Sequence, residues 1–175
     1  KAYQRQRILV FLDPESYQQN AGFQLMESII GIGAGGLFGS GFLNGVHSSS
    51  GFIPEVHTDF IFAAVGEEWG FLGALFLLAL YGVLIFRMIK LAREAKDILG
   101  RLICVGTASG LLFSIFQNIG MTIGIMPVAG ITLPFMSYGG SHIITEFVGL
   151  GILMGMNRYS RVAHRDDMRN EFLGI

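Results

Sequence analysis

The residues best placed to do chemistry lie in one short phrase, Pro54-Glu-Val-His-Thr-Asp-Phe60, where Glu55, His57 and Asp59 fall within five positions at the edge of an apolar run. A carboxylate at such an edge can act as a general base or help to hold a divalent cation. One His with two carboxylates falls well short of a zinc motif, which needs a fuller and more regularly spaced ligand set. A plainer use is also open: Thr58 or Asp59 can cap the following helix by accepting from its free backbone N–H groups. The cap accounts for one acid and leaves Glu55 and His57 without a task. Both readings stand at this level.

Other polar residues sit in apolar surroundings. Glu67 and Glu68 follow two turns later, with Glu67 roughly 12 Å from Asp59 along a helix axis. Adjacent residues on a helix point about 100° apart, so the two acids cannot both face one partner. At least one is expected to meet a cavity or a cation from another helix; a shallow pair reaching to the surface is the alternative. His142 and Glu146 are four apart and share a helix face, so a contact between them is expected. Gln117 and Asn118 lie inside an uncharged run and are expected to join helices through their amides. Ser137-Tyr-Gly-Gly-Ser141 offers hydroxyls and open backbone donors at Ser137, Tyr138, Gly139 and Gly140 that could hold an anionic head group, although a helix-entry loop fits equally. Gly31-Ile-Gly-Ala-Gly-Gly36 spells a dinucleotide fingerprint, but no strand precedes it and no helix with a polar face follows, so a closely packed loop is expected instead.

The elements that must carry these residues follow from charge and hydropathy. Of 175 residues, 51% are hydrophobic, 14% are charged and 25 are Gly. An ordinary soluble domain carries about 25% charged residues and roughly half this share of Gly. Twelve basic residues against thirteen acidic ones exclude a nucleic-acid-binding chain, and a single Cys, Cys104, excludes an internal disulfide framework. An all-α integral membrane protein is the fold class expected. The chain does not open on Met, and Lys1-Ala-Tyr-Gln-Arg-Gln-Arg7 lacks the apolar core of a signal peptide, so a piece of a longer protein is expected.

No Lys or Arg occurs from Ile8 to Phe86, while basic residues cluster at Arg87, Lys90, Arg93, Lys96 and Arg101 and again at Arg158, Arg161, Arg165 and Arg169. Both clusters should face the cytoplasm, and the acidic region before them should face outward. Three transmembrane helices are expected over about 60–86, 102–126 and 139–157. Residues 1–59 form an extracytoplasmic loop with short helices, and residues 158–175 a cytoplasmic tail. Within the loop, nine glycines between Gly22 and Gly51 argue against a span. A short amphipathic helix around Gln24–Ile32, followed by irregular backbone, is expected there.

Taken in order, Tyr3-Gln-Arg-Gln-Arg7, Phe11-Leu-Asp-Pro-Glu15, Gly33-Ala-Gly-Gly-Leu37, Pro54-Glu-Val-His-Thr-Asp-Phe60, Gly66-Glu-Glu68, Asn118-Ile-Gly-Met121, Pro127-Val and Leu133-Pro-Phe-Met-Ser-Tyr-Gly-Gly-Ser141 resemble the SEDS family of cell-wall polymerases, the group containing RodA and FtsW. The first two phrases look more like the RodA branch than the division branch. His142 departs from the second Ser that usually closes the last phrase. The resemblance implies a bundle of ten transmembrane helices, of which this chain holds the large outer loop and the last three. It implies polymerisation of lipid II into glycan strands outside the bacterial cytoplasmic membrane, together with a class B penicillin-binding protein. The essential aspartate of the family falls on Asp59 and its other important loop acid on Glu55.

The chemistry suits these residues. Asp59 is the expected base for the acceptor 4-hydroxyl. Glu55, with His57 and Thr58, positions the substrate, and Asp59 with Glu55 could hold a divalent cation such as Mg or Mn that offsets pyrophosphate charge. No organic cofactor is expected. A lipid II flippase or a non-catalytic membrane scaffold is the competing function, and the 175 residues alone are expected to be inactive.

Overall fold

A computed structural model describes residues 21–46, 58–95 and 97–173. Four helices make up its regular structure, α1 (Ala21–Gly35), α2 (Ile61–Glu94), α3 (Ile98–Thr122) and α4 (Gly140–Leu173), and no strand occurs among the described residues. Both α2 and α3 are long and apolar enough to cross a membrane, and Gly140–Met156 is a shorter apolar stretch at the start of α4. The chain divides into two compact units. One comprises residues 1–81 and 113–139, the other residues 82–112 and 140–175.

In the first unit, α1 extends three residues beyond each end of the expected Gln24–Ile32 segment. Its glycines do not stop it, because the helix is docked along its length. Leu25 and Ser28 are buried, and Ser28 Oγ donates to the Thr122 carbonyl at the end of α3 (2.9 Å). Ile32 packs with Phe60 and Ala63, both almost wholly buried at the start of α2. Tertiary burial of this kind overrides the modest helix propensity of Gly. The end of α3 falls at Thr122 rather than 126. Gly124 takes φ 78°, and the N–H groups of Ile125 and Met126 both turn back to the Gly120 carbonyl (2.8 and 3.0 Å). A glycine in the left-handed region closing the last turn is the usual way a helix ends.

The span expected over 60–86 is not one uninterrupted helix. Gly70 adopts φ 67°, ψ −166° within α2 and separates a short first segment from a long second one. An interrupted helix frees carbonyls before the break and N–H groups after it, and these need partners where water is scarce. The glycine-rich turn after α1 supplies both kinds. Ser40 and Gly41 donate from their backbone nitrogens to the Glu67 and Glu68 carbonyls (2.9 and 3.1 Å), and Ser40 Oγ adds a second bond to Glu67 (3.0 Å). Phe71 and Leu72 donate to the Gly36 and Leu37 carbonyls (2.9 and 3.2 Å). A Cβ on Gly70 would run into the Gly39 nitrogen, and one on Gly39 into the Glu68 carbonyl. The glycines are there because two backbones touch.

The second unit is built differently. Its buried hydrophobic residues among those described are Met88, Ala92, Cys104, Ala108, Leu111 and Leu153. A Cβ on Gly149 would sit in ordinary contact, 3.6 Å from Thr107 Cγ2, so α3 and α4 approach closely at a small residue. The helix α4 continues beyond the expected limit of 157 to Leu173, since no Gly or Pro interrupts residues 157–173.

Candidate functional site

Asp59 lies two residues before α2, half-buried, beside the wholly buried Phe60. What holds it comes from two distant parts of the sequence. Asn118, on α3 and fully buried, donates from Nδ2 to the Asp59 carbonyl (2.8 Å) and to the Ile131 carbonyl (2.8 Å). Ser137 Oγ donates to the Thr58 carbonyl (2.5 Å) and accepts from the Leu133 N–H (2.8 Å). Ser137 N donates to the Leu133 carbonyl (3.0 Å), so the turn from Leu133 to Ser137 is closed from both sides. Phe135 within it takes φ 61°, a conformation rare for a bulky residue and maintained only where surroundings enforce it. Tyr81 secures the same turn by donating its hydroxyl to the Pro134 carbonyl (2.5 Å).

The other expected site residues divide. Ser137 is 2% exposed with its hydroxyl fully engaged, whereas the adjacent Tyr138 is 79% exposed. Gly139 is half-buried and Gly140 opens α4. The stretch from Ser137 to Gly140 is therefore split between structure and surface. Glu67 is buried and Glu68 half-buried, as two acids pointing about 100° apart would be. Glu68 lines an open recess with Phe38, Phe42, Trp69, Leu72 and Phe76. His142 Nδ1 lies 3.0 Å from Glu146 Oε1, the contact expected from their spacing. Glu55 and His57 lie outside the described residues.

Gln117 and Asn118 were expected to join helices. Instead both amides grip loop backbone: Gln117 Nε2 donates to the Pro127 carbonyl (3.1 Å), and Asn118 spans two loop carbonyls. The Pro-rich turn cannot supply enough partners of its own, since each Pro lacks an N–H, so the side chains of α3 take up its carbonyls. Among the described residues no group of three or more His, Cys, Asp or Glu side chains is arranged to hold a metal ion. The pairing of Asp59 with Glu55 that would carry such a cation involves a residue outside the described set.

Two helices long and apolar enough to cross a membrane, with polar side chains buried between helix and loop, fit an integral membrane protein of helical class. The chain belongs to the family of cell cycle proteins that groups FtsW, RodA and SpoVE; the family's sequence model matches residues 1–162. It is 47% identical over 160 residues to the peptidoglycan glycosyltransferase MrdB of Escherichia coli K12, covering 91% of this chain and 43% of that protein. A solved structure described as coordinating polymerization and crosslinking in a peptidoglycan synthase complex matches with a TM-score of 0.73 and 38% identity, over 91% of this chain and 43% of the other. The rod shape determining protein RodA of Thermus thermophilus, solved as an aspartate-to-alanine mutant, matches with a TM-score of 0.58 and 41% identity, over 70% of this chain and 38% of that one. The chain thus spans less than half the length of the relatives it matches.

Proposed function

We propose that this chain forms the large outer loop and last three helices of a ten-helix peptidoglycan glycosyltransferase that polymerises lipid II for cell elongation. The observation that carries the reading is the 47% identity to a protein named for that activity, over nearly the whole chain. The protein is multi-pass in the bacterial cytoplasmic membrane. Its Asp59 end faces outward and its Arg87, Lys90 and Arg93 end inward, as the bias of basic residues requires. Its partner is a class B penicillin-binding protein, supported by the likeness to a complex that couples polymerization to crosslinking.

In this reading Asp59 is the general base. Its carboxylate takes the proton of the acceptor 4-hydroxyl as that oxygen bonds to the anomeric carbon of the donor sugar. The bond from that carbon to the pyrophosphate oxygen breaks, and undecaprenyl pyrophosphate leaves with the electron pair. A base at the membrane edge meets the lipid head group at its own depth, and such proton transfer contributes about 10²–10⁴-fold to rate. Glu55 assists in positioning the head group.

The test is glycan chain growth by the full-length protein with its partner, the transpeptidase blocked, comparing wild type with Asp59→Asn. Asparagine keeps the size and capping capacity of aspartate but cannot accept the proton. Loss of chains by about 10²-fold or more in a folded variant supports the base. Equal chains would reduce Asp59 to a cap. Absence of chains with either protein would favour the flippase or scaffold function.

A further inference from the structure

We propose that Asn118 and Ser137 are positioning residues for Asp59, fixing the direction in which its side chain leaves the backbone by clamping the peptide group on each side of it. This rests on the reading of Asp59 as the base. The carbonyl of Thr58 belongs to the planar peptide preceding Asp59, and the carbonyl of Asp59 to the planar peptide following it. With both planes held, φ and ψ of Asp59 are set, and with them the direction of its Cα–Cβ bond. Ser137 Oγ holds the first plane at 2.5 Å and Asn118 Nδ2 the second at 2.8 Å.

The clamp is itself anchored. Asn118 stands mid-way along the last turns of α3, is 0% exposed, and its second N–H is committed to Ile131. Ser137 is 2% exposed and tied to Leu133 through both its backbone N–H and its hydroxyl, in a turn that Tyr81 also secures. Both donors are buried although the carbonyls they hold are only half-buried, and a hydrogen bond in such low-dielectric surroundings is stronger than one in water. Thr58 and Asp59 lie 79 and 59 residues from the side chains that hold them. Two such distant groups meet on adjacent peptides, and Asp59 is the residue between those peptides. A displacement of about 1 Å in a reacting group can cost on the order of 10²-fold in rate.

The experiment measures lipid II turnover by the full-length protein with its partner, transpeptidase blocked, across lipid II concentrations. Ser137→Ala removes the hold on the Thr58 carbonyl, and Asn118→Asp sets a carboxylate against the Asp59 and Ile131 carbonyls. The expected result is a kcat lowered about 10-fold by Ser137→Ala and about 10²-fold by Asn118→Asp, with KM for lipid II within about two-fold of wild type. Added to Asp59→Asn, Ser137→Ala should lower the residual rate no further, since its effect passes through the missing carboxylate. Wild-type kcat in Ser137→Ala, or a full further loss in the double variant, overturns the positioning role. If Asn118→Asp, which buries a charge, does not reach the membrane, Ser137→Ala decides the matter. Turnover by Asp59→Asn at the wild-type rate brings down the base and the clamp together; an inactive Asp59→Asn beside a fully active Ser137→Ala brings down the clamp alone.

Discussion

The two units of this chain solve the problem of burial in opposite ways. Ser28, Glu67, Gln117, Asn118, Thr122 and Ser137, the buried polar residues among those described, all belong to the unit that contains Asp59. Most of them bind a backbone carbonyl of a loop or helix end. The other unit buries Met, Ala, Leu and a free Cys, and among its described residues none of the buried ones is polar; the Lys90–Glu94 pair (3.7 Å) is exposed. The Glu146 side chain there is covered to 7% exposure, beside His142. A helix crossing lipid satisfies its own backbone, so apolar packing with small residues suffices. Backbone that breaks or loops in an apolar setting needs donors and acceptors from elsewhere, and the first unit is organised around providing them. Irregular backbone of that sort is where reactive groups can be aimed.

Three substitutions test this contrast. The largest effect is expected at Gly70, where valine would need a left-handed conformation and would drive its Cβ into the backbone of Gly39 and Leu37. Gly70→Val should cost about 3–5 kcal/mol, read as a lower melting temperature and yield of the full-length protein in detergent. A variant as stable as wild type would show that the glycine turn is not locked into the broken helix. Tyr81→Phe should cost about 1–2 kcal/mol in the same assay, because the Pro134 carbonyl loses a buried partner. A neutral result would mean that the turn from Leu133 to Ser137 holds without α2. The smallest change, with opposite sign, is expected at Gly106 in the apolar unit, where an added Cβ meets nothing within 4 Å. Gly106→Ala should stabilise by about 0.5–1 kcal/mol through helix propensity. Destabilisation there would reveal a close neighbour at that face and weaken the division drawn between the units.

How much of the site was legible depends on how local its signals are. Asp59 stands out as a candidate because it shares five positions with Glu55 and His57, which lie outside the described residues, and the His142–Glu146 contact because a helix fixes the geometry of residues four apart. Asn118 carried a weaker signal. An amide in an apolar run announces that it has a partner but not which one, and the expected neighbouring helix proved to be two loops. Gly39 and Gly70 gave less still. Each glycine states only that its backbone is free, and the pairing of residues 36–41 with 67–72 joins segments about thirty residues apart. Ser137 was counted among groups facing a substrate, whereas its hydroxyl is consumed in holding Thr58.

By itself the sequence determined that the chain is helical, apolar and free of Lys and Arg from Ile8 to Phe86, and it marked Asp59 at the edge of an apolar run. Those are properties of composition, periodicity and short spacing, which act before any distant contact forms. The tertiary structure alone decided where α2 breaks, which glycines touch, and which side chains clamp the two peptides around Asp59. Each of these is a hydrogen bond or a steric fit between segments far apart in the chain, and such pairings become specified only when burial brings the segments together and leaves their polar groups no other partner.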